Sequence, residues 1–264
     1  MSDPHQAADF TVPNAARMYD YFLGGKDNYT IDRAAAERVL AVAPEMREVA
    51  RRGRELIGRV VHHVVEAGIR QIIDLGSGLP TQDNVHQIAT AIDPGVHVVY
   101  VDHDPVVAAH GKALLTRSDR VAMIHADLLS PHDVLGDPDL TGLIDLDRPV
   151  ALLMMFVLHL LPDAANPQAA VAAYRSALAP GSYLAISHAS TDHHSTLMSN
   201  IAAIYRDADS PFAPRTRQDV QAFFGDFALV EPGLMHMWPF DTPALGVHSQ
   251  IATMGWSGIG HKRP

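Results

Sequence analysis

Apolar positions along the chain follow two different periods, and the change falls near residue 69. Before it the spacing is helical, with apolar residues three and four apart over Ala15–Leu23, Asp32–Val42 and Glu45–Glu66. Gly24-Gly25 and Ala43-Pro44 punctuate these segments. Asp32 is a candidate cap for the second helix, and Pro44 sits at the start of the third. After residue 69 short β-rich runs alternate with helices. Gln71–Ile73, His97–Val101, Val121–Ile124, Pro149–Val157 and Ser182–Ser187 read as strands; Asn84–Ile92, Pro105–Leu115 and Pro167–Leu178 read as the helices between them. Near-continuous apolar strands alternating with helices predict an α/β fold: a mainly parallel sheet covered on both faces. The last quarter predicts helices at Leu197–Tyr205 and Arg217–Phe224, the second opened by a Thr216/Asp219 capping box. Strands near Phe227–Glu231 and Ile251–Trp256 would join the sheet as antiparallel edges. No linker divides the chain, so the expectation is an N-terminal helical cap (1–68) on an α/β body (69–264) forming one structural unit.

Composition narrows this little. The 264 residues are 47% hydrophobic and 19% charged, an ordinary balance for a chain that buries a core. The net charge of −10 argues against a general nucleic-acid footprint and favours a small-molecule or peptide substrate. The longest apolar run, Val150–Leu158, is far short of the roughly 20 residues of a bilayer span. No signal-like segment opens the chain and no cysteine occurs, which fits a cytoplasmic protein. The sixteen histidines include the adjacent pairs His62-His63 and His193-His194, which cannot share a helix face, and no metal site is expected. Arg51, Arg52, Arg54 and Arg59 read as a solvated helix face.

The chemistry gathers at strand ends. Ile72-Ile73-Asp74-Leu75-Gly76-Ser77-Gly78 is an apolar strand ending in an acid and a glycine turn, where open α/β sheets bind ligands. A dinucleotide fingerprint would need a third glycine near residue 81; Leu79-Pro80-Thr81 stands there instead, which counts against a nicotinamide-dependent oxidoreductase. An acid before Gly-x-Gly suits a cationic sulfonium amino acid better than a diphosphate. Asp102 closes the next strand and is placed to accept both ribose hydroxyls, while Asp104 before Pro105 reads as a helix cap. Asp127, at a third strand end, can accept from an adenine amino group, with Leu128 covering the ring.

The order DLGSG, VDHDP, HADL, VLHLLPD and LAPGSYLAIS resembles class I S-adenosylmethionine-dependent methyltransferases over residues 70–190. More narrowly, PNAARMYDYFLGGKDNYTIDR with IDLGSGLPTQDNVH and VYVDHDPVV resembles a bacterial S-adenosyl methyltransferase family once catalogued only as a domain of unknown function. That resemblance spans about residues 10–235, and the tail beyond Trp238 departs from it. It implies a Rossmann-like, doubly wound fold and S-adenosyl-L-methionine as cofactor, with no acceptor specified. The cofactor set expected on all these grounds is Asp74, Gly76, Ser77, Gly78, Asp102, His103, Asp127, Leu128 and Phe156, joined by Tyr21, Gly25 and Lys26 from the N-terminal segment.

Methyl transfer asks for an in-line nucleophile, a dry pocket and sometimes a base. His159, after the fourth strand, is either a general base or a histidine bonded to loop backbone; His188, near the next strand end, is a weaker candidate of the same kind. The segment Tyr19–Tyr29 is either a lid over cofactor and acceptor or a packed turn with surface charges. As a lid, Lys26 or Arg17 would meet the methionine carboxylate and Asp27 would orient an amine or hydroxyl nucleophile. The same constellation also allows a protein that binds the cofactor without turning it over.

Overall fold

The computed structural model describes residues 10–80, 83–115, 118–237 and 251–263. Helices α1 (Ala15–Phe22), α2 (Thr30–Val42) and α3 (Met46–Glu66) open the chain. α3 buries Val49, Ala50, Gly53, Leu56, Ile57, Val60, Val61, Val64 and Val65 along one stripe, the helical period turned into a packing face. Asp32 does not cap α2 from outside: it is the third residue of the helix, and its carboxylate accepts from the Tyr29 N–H at 2.8 Å. Then β1 (Gln71–Leu75), α4 (Val85–Ile92), β2 (His97–Asp102), α5 (Pro105–Leu115), β3 (Val121–His125), the short α6 (Pro131–Leu135) and α7 (Pro138–Thr141), β4 (Ala151–Met155), α8 (Pro167–Ala177) and β5 (Tyr183–Ala189) follow. The chain ends with α9 (Ser195–Tyr205), α10 (Arg217–Ala222), the two-residue β6 (Ala228–Leu229) and β7 (Met235–His236), and β8 (Gly255–His261).

Among the described residues the sheet runs β3-β2-β1-β4-β5-β8-β6, with β7 also paired to β8. The first five strands are mutually parallel and β8 is antiparallel to β5. Strand order reverses between β1 and β4, so a crevice opens at the carboxyl ends there. Successive residues supply opposite faces. Ile73, Val99, Leu152 and Ile186 pack with α8 and α10 through Val171, Tyr174, Val220 and Phe223. Ile72, Val98, Leu153 and Ala185 pack with α3, α4 and α5 through Val61, Ala89 and Val107. No described helix is long and apolar enough to cross a membrane.

A third apolar cluster joins α1, α2, the start of α3 and α9 through Met18, Phe22, Val39, Ala50, Met198, Ile201 and Met254. It touches the sheet through Phe156, Leu160 and Ala189. The N-terminal helices are therefore roofed onto the carboxyl edge of the sheet. The terminal strand differs from its expected position: residues 252–254 form a 3-10 turn and β8 runs on to His261. Gly258 and Gly260 weaken the strand signal in sequence. In the fold they leave room for Phe224 and Phe227, whose atoms lie 2.8 to 3.4 Å from where a Cβ would stand.

Candidate functional site

The turn after β1 is built on Asp102. Its two carboxylate oxygens accept the backbone N–H groups of Gly78 at 2.8 Å and Asp104 at 3.0 Å, which leaves each oxygen a further acceptor position. Burial raises the Asp102 pKa. Asp104 caps α5, accepting from Val106 at 2.6 Å and Val107 at 3.1 Å. Gly76 and Gly78 have φ of +70° and +66°, the region glycine favours. A Cβ on Gly76 would overlap the Val157 side chain, whereas one on Gly78 would stand in open space.

That space belongs to a cavity between the strand ends and the roof, about 1380 Å³ counted out through its mouth. Gly76, Ser77, Gly78, Asp102 and His103 line it together with Tyr19, Asp20 and Arg54. His159 lines it too, as do Phe212, Met198 and Met254 of the third apolar cluster. Asp74 lies just beneath the turn, 8% exposed; burial pushes its pKa up to about 7, while Arg54 pulls it down and Asp102 raises it further. A buried acid held near half-ionisation is one that a bound cation would stabilise as carboxylate. The glycine cradle, the open acceptor positions of Asp102 and this buried acid together fit S-adenosylmethionine.

Phe156, directly after β4, has φ of +59°, an uncommon conformation for a bulky residue and one that costs on the order of 1–3 kcal/mol. Its N–H donates to the Ser187 hydroxyl at 2.9 Å, and its ring lies 6.3 Å from that of Tyr19 in a stacked arrangement. Tyr19 in turn donates to the Ala50 carbonyl at 3.0 Å, and burial raises its pKa to about 12. Both rings line the cavity.

Several sequence-predicted residues stand elsewhere. Gly25, Lys26 and Asp27 are exposed and off the cavity wall, and Tyr21 turns outward to bond Glu37 beneath the Arg47 guanidinium. The reason is Asp20. Its carboxylate accepts the Asp27 N–H at 2.9 Å and the Asn28 side-chain amide at 2.7 Å, and a Cβ on Gly25 would collide with it. The GGKDN segment thus wraps around a cavity-lining acid and sends its own charges to the surface. Arg17 is spent too: buried, its Nε meets Asp32 at 2.9 Å and its Nη1 lies 3.7 Å from Asp104. Asn14 ties the same cap to the body, donating to Asp104 at 2.6 Å and Asp209 at 2.5 Å.

His188 is fully buried below the cavity wall. Arg215 Nη1 donates to its Nε2 at 2.9 Å, and its Nδ1 donates to the Ala189 carbonyl at 2.8 Å. Burial pushes its pKa down to about 3. With both nitrogens committed it positions rather than reacts: the same Arg215 also donates to the Leu158 and Leu161 carbonyls and to Asp163, fixing the loop that carries His159. His159 does reach the cavity, but burial and the neighbouring His188 and Arg215 hold its pKa well below the usual range. Its Nδ1 accepts the Ala189 N–H at 3.4 Å. Asp127 sits one strand beyond Asp102, off the cavity wall, with its carboxylate accepting from the Leu129 N–H at 2.9 Å. Leu128 is in the core with Ile124 and Val134.

Arg54, read from the sequence as part of a solvated helix face, and Asp20, absent from the sequence-derived set, both line the cavity. A signal for Arg54 was available: Ala50, Arg54 and Ile57 follow the same i, i+4, i+7 spacing as the buried stripe of α3, and all three line the cavity.

The S-adenosyl methyltransferase family profile matches residues 1–263. A solved structure from Thermobifida fusca, described as a candidate methyltransferase, is 39% identical, with a TM-score of 0.91 and all of both chains covered. A DUF574 family protein of Streptomyces avermitilis is 33% identical with the same TM-score, covering 97% of this chain and 99% of its own. Human N-acetylserotonin methyltransferase, solved with S-adenosylmethionine, shares the fold at 13% identity and a TM-score of 0.51, covering 96% of this chain and 63% of its own. No curated protein sequence matches the chain. The glycine turn on Asp102, the doubly wound sheet and these likenesses agree: the chain belongs to the S-adenosyl methyltransferase family, as an S-adenosylmethionine-dependent enzyme of class I architecture.

Proposed function

We propose that this methyltransferase acts on a small-molecule acceptor with an oxygen or nitrogen nucleophile, held under the N-terminal roof. One observation carries the reading: a single cavity joins the glycine turn and Asp102 to an apolar chamber closed by α1, α3 and α9. When bound, S-adenosylmethionine supplies an electrophilic methyl group on a sulfonium. The residues around it would divide its recognition. Asp102 accepts the ribose hydroxyls. Asp74 balances the ammonium, directly or through water, and Arg54 pairs with the carboxylate. Tyr19 and Phe156 offer ring faces to the sulfonium.

The rest of the work is positioning and exclusion of water. A methyl group on a sulfonium needs no activation by the protein, so holding the nucleophile in line supplies most of the acceleration. His159, neutral and with Nδ1 occupied, is better suited to bonding the acceptor than to removing its proton. The assignment is tested by calorimetry with S-adenosylhomocysteine on wild type and Arg54→Met, followed by methyl-transfer assays on metabolite extracts. Micromolar binding, about −8 kcal/mol, weakened at least tenfold in the variant, supports the cofactor assignment. Unchanged binding in Arg54→Met removes Arg54 from it, and transfer only to protein or RNA fractions overturns the small-molecule acceptor.

A further inference from the structure

We propose that the acceptor is a neutral, planar aromatic molecule, a phenol or ring N–H heterocycle, lodged against the apolar part of the cavity wall. This rests on the methyltransferase reading above and narrows it. Of the formally charged side chains on the described cavity wall, Asp102 bonds the Gly78 N–H, Arg54 acts on Asp74 beneath the glycine turn, and Asp20 bonds the Asp27 N–H and the Asn28 amide of the roof. Among the described residues, Met198 and Ile201 from α9, Leu160 and Phe212 from the loops after β4 and α9, and Met237 and Met254 flanking β7 and β8 line the cavity as one apolar cluster, with Asn14 and Ser210 as polar members of the wall. Titratable groups beside this cluster are His159, held neutral by burial, and Tyr205, whose pKa burial and Asp209 raise. Arg54, placed by Asp74, is the one lysine or arginine among the described lining residues, so a carboxylate or phosphate lodged against this apolar group would be desolvated without a cation to meet it.

The wall also has a shape preference. The rings of His159, Phe212 and Tyr205 form a connected row, with centroids 5.3 Å apart for His159 and Phe212 and 5.4 Å for Tyr205 and Phe212. Thioethers bordering such a row favour a flat π-system, since sulfur packs well at ring edges and methionine adapts its shape to the ligand. Rings add edge and offset-stacked contacts. In the transfer, the acceptor oxygen or nitrogen forms its bond to the methyl carbon as the sulfur–carbon bond breaks. The sulfonium charge is lost to give the thioether, and the acceptor's proton passes to water at the cavity mouth.

The experiment uses the full-length protein saturated with S-adenosylhomocysteine, titrated with 2-naphthol or with 2-naphthyl phosphate and followed by naphthyl fluorescence. The naphthol is expected to bind at least tenfold more tightly than the phosphate. In Met198→Glu its affinity should fall at least tenfold while S-adenosylhomocysteine binding stays within twofold. If the melting curve shows that the glutamate unfolds α9, Phe212→Ala, at a half-buried position, should weaken naphthol binding severalfold and serves the same end. Phosphate binding as well as naphthol, or naphthol failing to bind the loaded protein, overturns the acceptor class and leaves the cofactor assignment standing. Failure of S-adenosylhomocysteine to bind at all overturns the cofactor assignment instead.

Discussion

At the scale of single residues, burial makes ionisation of Asp74 and Asp102 costly, and on the proposed reading a bound ligand relieves that cost. Asp74 binds its proton more tightly in the fold, at a pKa of about 7, than in an unfolded chain, where a carboxyl titrates near about 3.9. Stability from this group is therefore greatest at acid pH and declines as pH rises from about 4 to 7. A ligand ammonium favours the ionised form, so affinity should move the other way. S-adenosylhomocysteine binding should weaken towards about tenfold per pH unit below 7, and weaken again above about 8 as its own amino group loses its proton. Asp74→Asn should flatten the acid limb in calorimetry; a limb that persists unchanged assigns it to another group. Asp102→Ala should lower affinity at least tenfold and also cost about 1–3 kcal/mol of stability, because the Gly78 and Asp104 N–H groups lose their acceptor. Chemical denaturation beside calorimetry separates the two losses. His159→Asn should reduce kcat by less than about tenfold, since a general base contributes about 10²–10⁴. A hundredfold loss, or an acid limb in kcat that vanishes in the variant, would restore the base role.

At the scale of elements, the N-terminal segment is organised by a polar core within an apolar one. Asp20, Asn28, Asp32, Arg17 and Asn14 bond one another or neighbouring backbone at low exposure, and through Asp104 they reach the first turn of α5, two residues from Asp102. The placement of α1 and the geometry of the glycine turn are thereby coupled. Gly25→Ala tests this, because the added methyl must displace the Asp20 carboxyl. Overpacking of this kind costs about 1–3 kcal/mol. The expected result is a lower melting temperature together with weaker S-adenosylhomocysteine binding, although Gly25 itself is off the cavity wall. A stability loss with unchanged affinity would show that the segment is held independently of the site.

At the scale of the whole molecule, helices α1 to α3 and the sheet share one cavity and the third apolar cluster. The roof also encloses the ligand space from the side opposite the strand ends. Adding S-adenosylhomocysteine should therefore slow amide exchange across α1 and the Asp20-centred turn, and leave α8, on the far face of the sheet, unchanged. Uniform slowing of both would indicate global stabilisation alone, by mass action.

The chain's sequence determined the alternation of buried strands and amphipathic helices, the glycine turn and the acid at each strand end, because those signals are local: a period, a turn residue, a cap. Asp104 as the cap of α5 and the Thr216/Asp219 box belong to this class. Only the tertiary structure decided which charges face the cavity. Lys26 and Asp27 lie within seven residues of cavity-lining Asp20 in the chain, yet the backbone turn that Asp20 holds carries them to the surface, while Arg54, 22 residues before Gly76, is brought to the site by the packing of α3. β8 was half legible for the same reason: its glycines are chosen by Phe224 and Phe227 on another element. The direction of a side chain at a long-range contact depends on what packs behind it, and no local period encodes that.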